Sequence, residues 1–326
     1  MPRAPLIQIN VTQSGQESLP LNVPAEPWMH VMLRNLLRVL IAYSVVVLVL
    51  AVAAFADDRP AGRAIQEEVW ALPITLPTIA YVVRPVGDGP FPLVIMNHGV
   101  SLNQRERSFF PLVEFRDAAM WFARRGYMVV APSGSGYGAA ALDDPEHGIY
   151  SVFYSKIGGC DNPNFRDAGF AVALIDKWII DYMTEQKLVV PDKTIVVGQS
   201  AGGWAALALS SQNLPTVRAV ITFAAGRGGR VGGKPNNNCA PDKLVAATAE
   251  FGRTARTPML WIYIENDTFF GPALSNRMHQ AYTAAGGSAE YHLLPPFGSD
   301  GHFLIDSPDA IPLWAPIVGA FLDNHE

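Results

Sequence analysis

The sequence predicts an α/β fold, a mostly parallel sheet of about eight strands with helices on both faces. Three observations predict it. Short apolar runs alternate along the chain with longer segments of helical period, the order produced by repeated strand–helix units. Runs such as Thr194-Ile195-Val196-Val197 and Pro258 to Ile264 have no polar alternation and read as buried strands. The chain has 326 residues, 49% of them hydrophobic and 16% charged, which describes a globular protein with a large core.

The N-terminal 56 residues stand apart. Arg34 and Arg38 precede an apolar run from Val39 to Ala54, broken at Tyr43-Ser44 and ending in Ala54-Phe55-Ala56. Basic residues, an apolar stretch and A-x-A make an export signal cleaved before Asp57. An uncleaved membrane anchor is the alternative, because the apolar stretch is slightly long. Residues 1–28 are rich in Pro and Gln and aperiodic, so Met29 and Met32 are candidate starts. No cysteine precedes Cys160, which excludes lipoprotein processing. Residues 57–326 then form one domain, placed in the periplasm or outside the cell.

Along that domain, 67–72 and 78–84 read as a strand pair turning at Pro73 and Pro77, and 92–97 as the next strand. Phe109 to Arg125 has helical spacing at Leu112, Phe115, Ala119 and Phe122. Residues 127–131 form a strand. Asp167 to Tyr182 reads as a helix with Ala171, Leu174, Ile175 and Trp178 on one face. Residues 194–197, 219–223, 258–264 and 290–294 complete the sheet. One helix starts at Pro272, and a last one runs from about Ile311 to Leu322.

Between the strand at 194–197 and the helix-like run from Trp204 lies Gly198-Gln199-Ser200-Ala201-Gly202. Strand, sharp turn and helix, with glycines flanking a serine, expose that hydroxyl at the end of a sheet. A serine hydroxyl needs a base, and the base needs an orienting carboxylate. Asp267 lies just past the strand 258–264, with Glu265 as the rival acid. His302 lies on a Gly-rich loop after the last strand. His292 and His279 fall in regular elements, and His147 precedes the serine, so all three read as structural or surface residues. The strand 92–97 is followed by His98-Gly99-Val100-Ser101, a loop whose backbone N–H groups can meet a developing oxyanion together with that of Ala201. Val100 is the favoured loop donor, and His98 reads as a structural histidine.

Together these stretches resemble the α/β-hydrolase superfamily, and more closely its dienelactone-hydrolase-like branch. The resemblance rests on Met96-Asn97-His98-Gly99, Arg125 to Pro132, the Ser200 turn, Glu265-Asn266-Asp267 and Asp300-Gly301-His302, and spans roughly residues 65–324. Dienelactone hydrolases proper carry a cysteine nucleophile, whereas Ser200 stands here. The resemblance therefore implies a serine esterase, with Ser200 as nucleophile, His302 as base and Asp267 as acid. The substrate would be a small-molecule or polymeric ester. A prolyl-oligopeptidase-like peptidase and a non-catalytic binding scaffold are the alternatives.

Two insertions should border this site. Ser133 to Arg166 carries Tyr137, Tyr150, Phe153 and Tyr154, which could line a pocket. Its glycines lack the spacing and the following Lys-Ser/Thr of a phosphate loop. Gly226 to Arg256 places Arg227, Arg230 and Lys234 among five glycines, a basic loop suited to an anionic substrate. Cys160 and Cys239 are the two cysteines, and an even count after export suggests a disulfide. The histidines do not cluster and the cysteines are far apart, so neither a metal nor another cofactor is expected. The net charge of −5 gives no reason to expect nucleic acid as a partner. A membrane enters only during export or through an uncleaved anchor.

Overall fold

In a computed structural model, residues 64–76, 78–101, 104–134, 136–138 and 160–325 are described. The export segment, the candidate starts Met29 and Met32, His147, and the aromatics Tyr150, Phe153 and Tyr154 lie outside those residues. Eight strands make one sheet: β1 Ile65–Leu72, β2 Thr78–Pro85, β3 Phe91–Asn97, β4 Met128–Pro132, β5 Val189–Gln199, β6 Val217–Phe223, β7 Met259–Ile264 and β8 Ala289–Leu294. Their order is β1-β2-β4-β3-β5-β6-β7-β8. Only β2 opposes its neighbours; every other pairing is parallel. This is the α/β-hydrolase architecture expected from the sequence. The chain steps from β3 outward to β4 and then back across β3 to β5. That reversal opens a crevice beyond the carboxyl ends of β3 and β5, where ligands of open α/β sheets bind.

The helices are α1 Gln104–Ser108, α2 Arg116–Arg124, α3 Phe165–Glu185, α4 Ala201–Ser210, α5 Pro241–Thr254, α6 Pro272–Ala284 and α7 Ile311–Asp323. They form two cores, one on each side of the sheet. Leu93, Ile95, Val196, Val220 and Trp261 pack with α3 to α6. Their strand neighbours Val94, Met96, Val197, Ile221 and Ile262 pack with α2 and α7. Successive strand residues thus bury their side chains in different cores. This is why the central strands read as unbroken apolar runs. Among the described residues, no helix is long and apolar enough to cross a membrane.

Three sequence expectations are corrected. The helix expected at 109–125 begins only at Arg116. Pro111 cannot donate within a helix, Phe115 adopts a left-handed conformation at φ 54°, and Phe109 and Leu112 are solvent-exposed. In α3 the buried stripe is Ala168, Val172, Ile175, Asp176, Ile179 and Met183, whereas Leu174 is 43% exposed. The stripe shares Ile175 with the expected face but also holds a carboxylate, so apolar periodicity aimed it about one residue off. Finally, the insertion 226–256 is loop only to about 240. Pro241 at the first helical turn then starts α5, which buries Leu244, Thr248 and Phe251.

Candidate active site

β5 ends at Gln199, and Ser200 turns the chain into α4 with φ 54° and ψ −118°. Such a backbone is strained for a residue with a Cβ. The flanking glycines are required by contact as well as by the turn. A Cβ on Gly202 would lie 2.2 Å from the Asn97 carbonyl oxygen, and one on Gly198 would lie 2.3 Å from that of Gly202. Ala201 opens α4, where an N–H has no intrahelical acceptor and the helix dipole favours negative charge.

The loop after β3 is pinned by its own side chains. His98 Nε2 accepts from the Gly134 N–H at 2.9 Å, which leaves Nδ1 to donate to the Gly99 carbonyl at 2.6 Å. Burial pushes the imidazole pKa down to about 4, so this ring stays neutral at physiological pH. Ser101 donates its N–H to the Tyr137 hydroxyl at 2.9 Å. Tyr137 is 1% exposed, packs against His98 and Phe110, and is absent from the cavity lining. It therefore supports the loop from behind, a correction to its expected place in a substrate pocket.

Asp267 follows β7 and is buried, as is His302 on the short 3-10 turn Gly301–Asp306. Asp267 Oδ1 accepts from the N–H groups of Phe269 and Phe270 at 2.7 and 2.9 Å. Both Asp267 oxygens lie 3.2 Å from His302 Nδ1, so the pairing fixes the ring with Nδ1–H toward the carboxylate. Phe269 stacks on the imidazole, with ring centroids 4.0 Å apart. Glu265, the rival acid, is exposed. His292 pairs with Glu290 on β8, and His279 hydrogen-bonds the Ala289 carbonyl, so both stay outside the site.

Two organising residues were missed in the sequence. Asp300 Oδ1 accepts from the N–H groups of Thr268 and His302, both at 3.1 Å, while its Oδ2 accepts from the Thr268 hydroxyl. One carboxylate thus ties the loop after β7 to the His302 loop. Gln199 donates to the His302 carbonyl at 2.9 Å and links the serine turn to the same loop. The signal for Asp300 was present, since Asp before Gly-His is an N-cap pattern.

Ser200, Ala201, Gly99, Val100 and His302 line one cavity of about 480 Å³. Its far wall is the loop 226–233, which contributes Arg227 and Arg230. Arg227 is buried in that wall, at 2% exposure. Arg230 donates to the Thr268 hydroxyl at 3.1 Å and lies over the Phe269 ring. Glu114 also lines the cavity; burial, and then the Asp306 carboxylate, push its pKa up to about 7. Cys160 and Cys239 form the expected disulfide, Cα to Cα 4.9 Å. Cys239 donates its N–H to Gly228, so the bridge anchors the Arg227 loop.

A family model described as the dienelactone hydrolase family matches residues 79–302. None of the curated proteins matches significantly. Among solved structures, a candidate dienelactone hydrolase from Klebsiella pneumoniae superposes with a TM-score of 0.55 at 20% identity, covering 79% of this chain and 99% of that one. A hydrolase from Thermoplasma acidophilum described as CIB-like gives 0.52 at 19% identity, covering 81% and 100%. The acylaminoacyl peptidase of Pyrococcus horikoshii gives 0.55 at 12% identity; 80% of this chain is covered, but it spans only 42% of the peptidase.

Proposed function

The chain belongs to the dienelactone hydrolase family, and on that premise we propose that it is a serine hydrolase cleaving carboxylic esters through an acyl-enzyme. The observation that carries this reading is His302, paired with the buried Asp267, lining one cavity with Ser200 on its strained turn. In the mechanism, Ser200 Oγ attacks the ester carbonyl and His302 Nε2 takes its proton. Asp267 holds the ring and stabilises the imidazolium. The backbone N–H groups of Val100 and Ala201 receive the oxyanion. His302 returns the proton to the leaving alcohol, and water then repeats the sequence on the acyl-enzyme. The basic residues of the cavity wall, Arg227 and Arg230, support a preference for esters carrying a negative charge.

A second reading, a peptidase, is favoured by the acylaminoacyl peptidase neighbour. One experiment separates them. The domain from Asp57 is assayed on neutral and carboxylate-bearing esters, lactones, polyesters and peptide anilides of matched size. Ester hydrolysis with no measurable anilide hydrolysis supports the esterase, and turnover of the peptide anilides supports the peptidase. We further propose that the enzyme acts after export, which accords with the Cys160–Cys239 bridge. N-terminal sequencing of the exported protein tests this, with Asp57 the expected first residue.

A further inference from the structure

Among the described residues, α3 buries a carboxylic acid that the mechanism above does not use. Asp176 is 1% exposed, and its Oδ2 accepts a hydrogen bond from Asn97 Nδ2 at 2.8 Å. Its Oδ1 is buried with no hydrogen-bond partner. A half-satisfied buried acid destabilises a fold, and such departures from good packing concentrate where function requires them. Asn97 is the last residue of β3 and the root of the loop His98-Gly99-Val100.

We propose that Asp176 is a positioning residue for the oxyanion loop, acting through Asn97. Resting on the serine-hydrolase reading, it adds a member that touches no substrate. The geometry gives the route. The Asn97 carbonyl presses against Gly202, where even a Cβ would lie at 2.2 Å. Asn97 is therefore held between the serine turn on one side and Asp176 on the other. Two residues on, Gly99 has equally little room, with Gln199 Oε1 only 2.5 Å and Ser200 Cβ 3.1 Å from where its Cβ would stand. A displacement of Asn97 by a few tenths of an ångström thus passes to the Val100 N–H and to Ser200. Transition-state donors tolerate little such displacement. Burial pushes the Asp176 carboxyl up to about 8, so it serves as a neutral acid at neutral pH.

The test uses isosteric exchanges and a readout independent of the natural substrate, the rate at which an alkyl fluorophosphonate labels the protein. Asn97→Asp sets two carboxyls face to face. Labelling should slow about tenfold or more, because the amide N–H that Asn97 gives to Asp176 is replaced by a second carboxyl oxygen. The exchange Asn97→Asp with Asp176→Asn rebuilds one amide and one acid, and should restore labelling to within about threefold. For the preferred ester, Asn97→Asp should lower kcat with KM nearly unchanged. Circular dichroism confirms that each variant is folded. A folded Asn97→Asp labelled at the wild-type rate, or a folded double variant that stays slow, overturns the proposal. If the wild type itself is not labelled, the serine-hydrolase reading fails first and the proposal falls with it.

Discussion

Opening the Cys160–Cys239 bridge should weaken the fold far more than the chemistry. The two cysteines are 79 positions apart. In the chain-entropy model, a loop of that length removes about 15 cal/mol/K from the unfolded ensemble, or about 4.5 kcal/mol at 25 °C. For a domain of this size each kcal/mol moves Tm by about 2–4 °C, so Cys160→Ser should lower Tm by on the order of 10 °C. The native loop has other anchors that survive the change. The Asn236 N–H donates to the Thr268 carbonyl at 2.7 Å, and the Asn238 side chain donates to the Phe269 carbonyl at 2.5 Å. Arg227 should therefore keep its place in the cavity at 25 °C, and kcat/KM there should change by less than about threefold. Differential scanning fluorimetry with and without a phosphine reductant reads the first quantity, and initial rates read the second. Reductant should act on the wild type and not on the variant. A Tm unchanged by both reductant and mutation would refute the entropic argument. Lost activity in a still-folded variant would show that the bridge shapes the site directly.

Ser200→Ala should lower ester hydrolysis by on the order of 10⁴-fold or more and abolish fluorophosphonate labelling with the fold intact; rates within tenfold of wild type would exclude the mechanism. Asp300→Ala, which strips the acceptor from the Thr268 and His302 N–H groups, should cut kcat about tenfold, and Asp300→Asn, which keeps one acceptor oxygen, should cut it less. Comparing kcat for the two variants checks this. As pH rises through about 7, Glu114 ionises and adds negative charge to the cavity. kcat/KM for a carboxylate-bearing ester should then fall relative to a neutral one between pH 6 and 8, and Glu114→Gln should flatten that ratio.

The strands and the serine turn were legible because their signals are local. A strand buried on both faces must be apolar throughout, and the serine turn leaves no room for anything but glycine beside it. Other features depend on partners far away in the chain. Asp176 lies in the buried stripe of α3 only because Asn97, 79 positions earlier, supplies a hydrogen bond, so periodicity aimed the helix one residue off. Tyr137 looked like a pocket aromatic because nothing local reveals that its hydroxyl receives the Ser101 N–H. Helix α5 was hidden by the glycine-rich stretch before it, which drew attention to a loop. Gln199 and Asp300 act by bridging loops, and a bridge is visible only once both ends are in place.

The backbone of Ser200 sets a trade between endurance and reactivity. A φ of 54° with ψ −118° costs a non-glycine residue roughly 1–3 kcal/mol. The rest of the domain must supply that amount merely to hold one hydroxyl on the cavity wall. Glycine at this position would release the tension and discard the proposed nucleophile together. A descendant freed from selection for turnover would thus gain robustness with its first inactivating step. Selection on stability alone would carry this fold toward silent scaffolds, and only continued demand for the reaction keeps the spring wound.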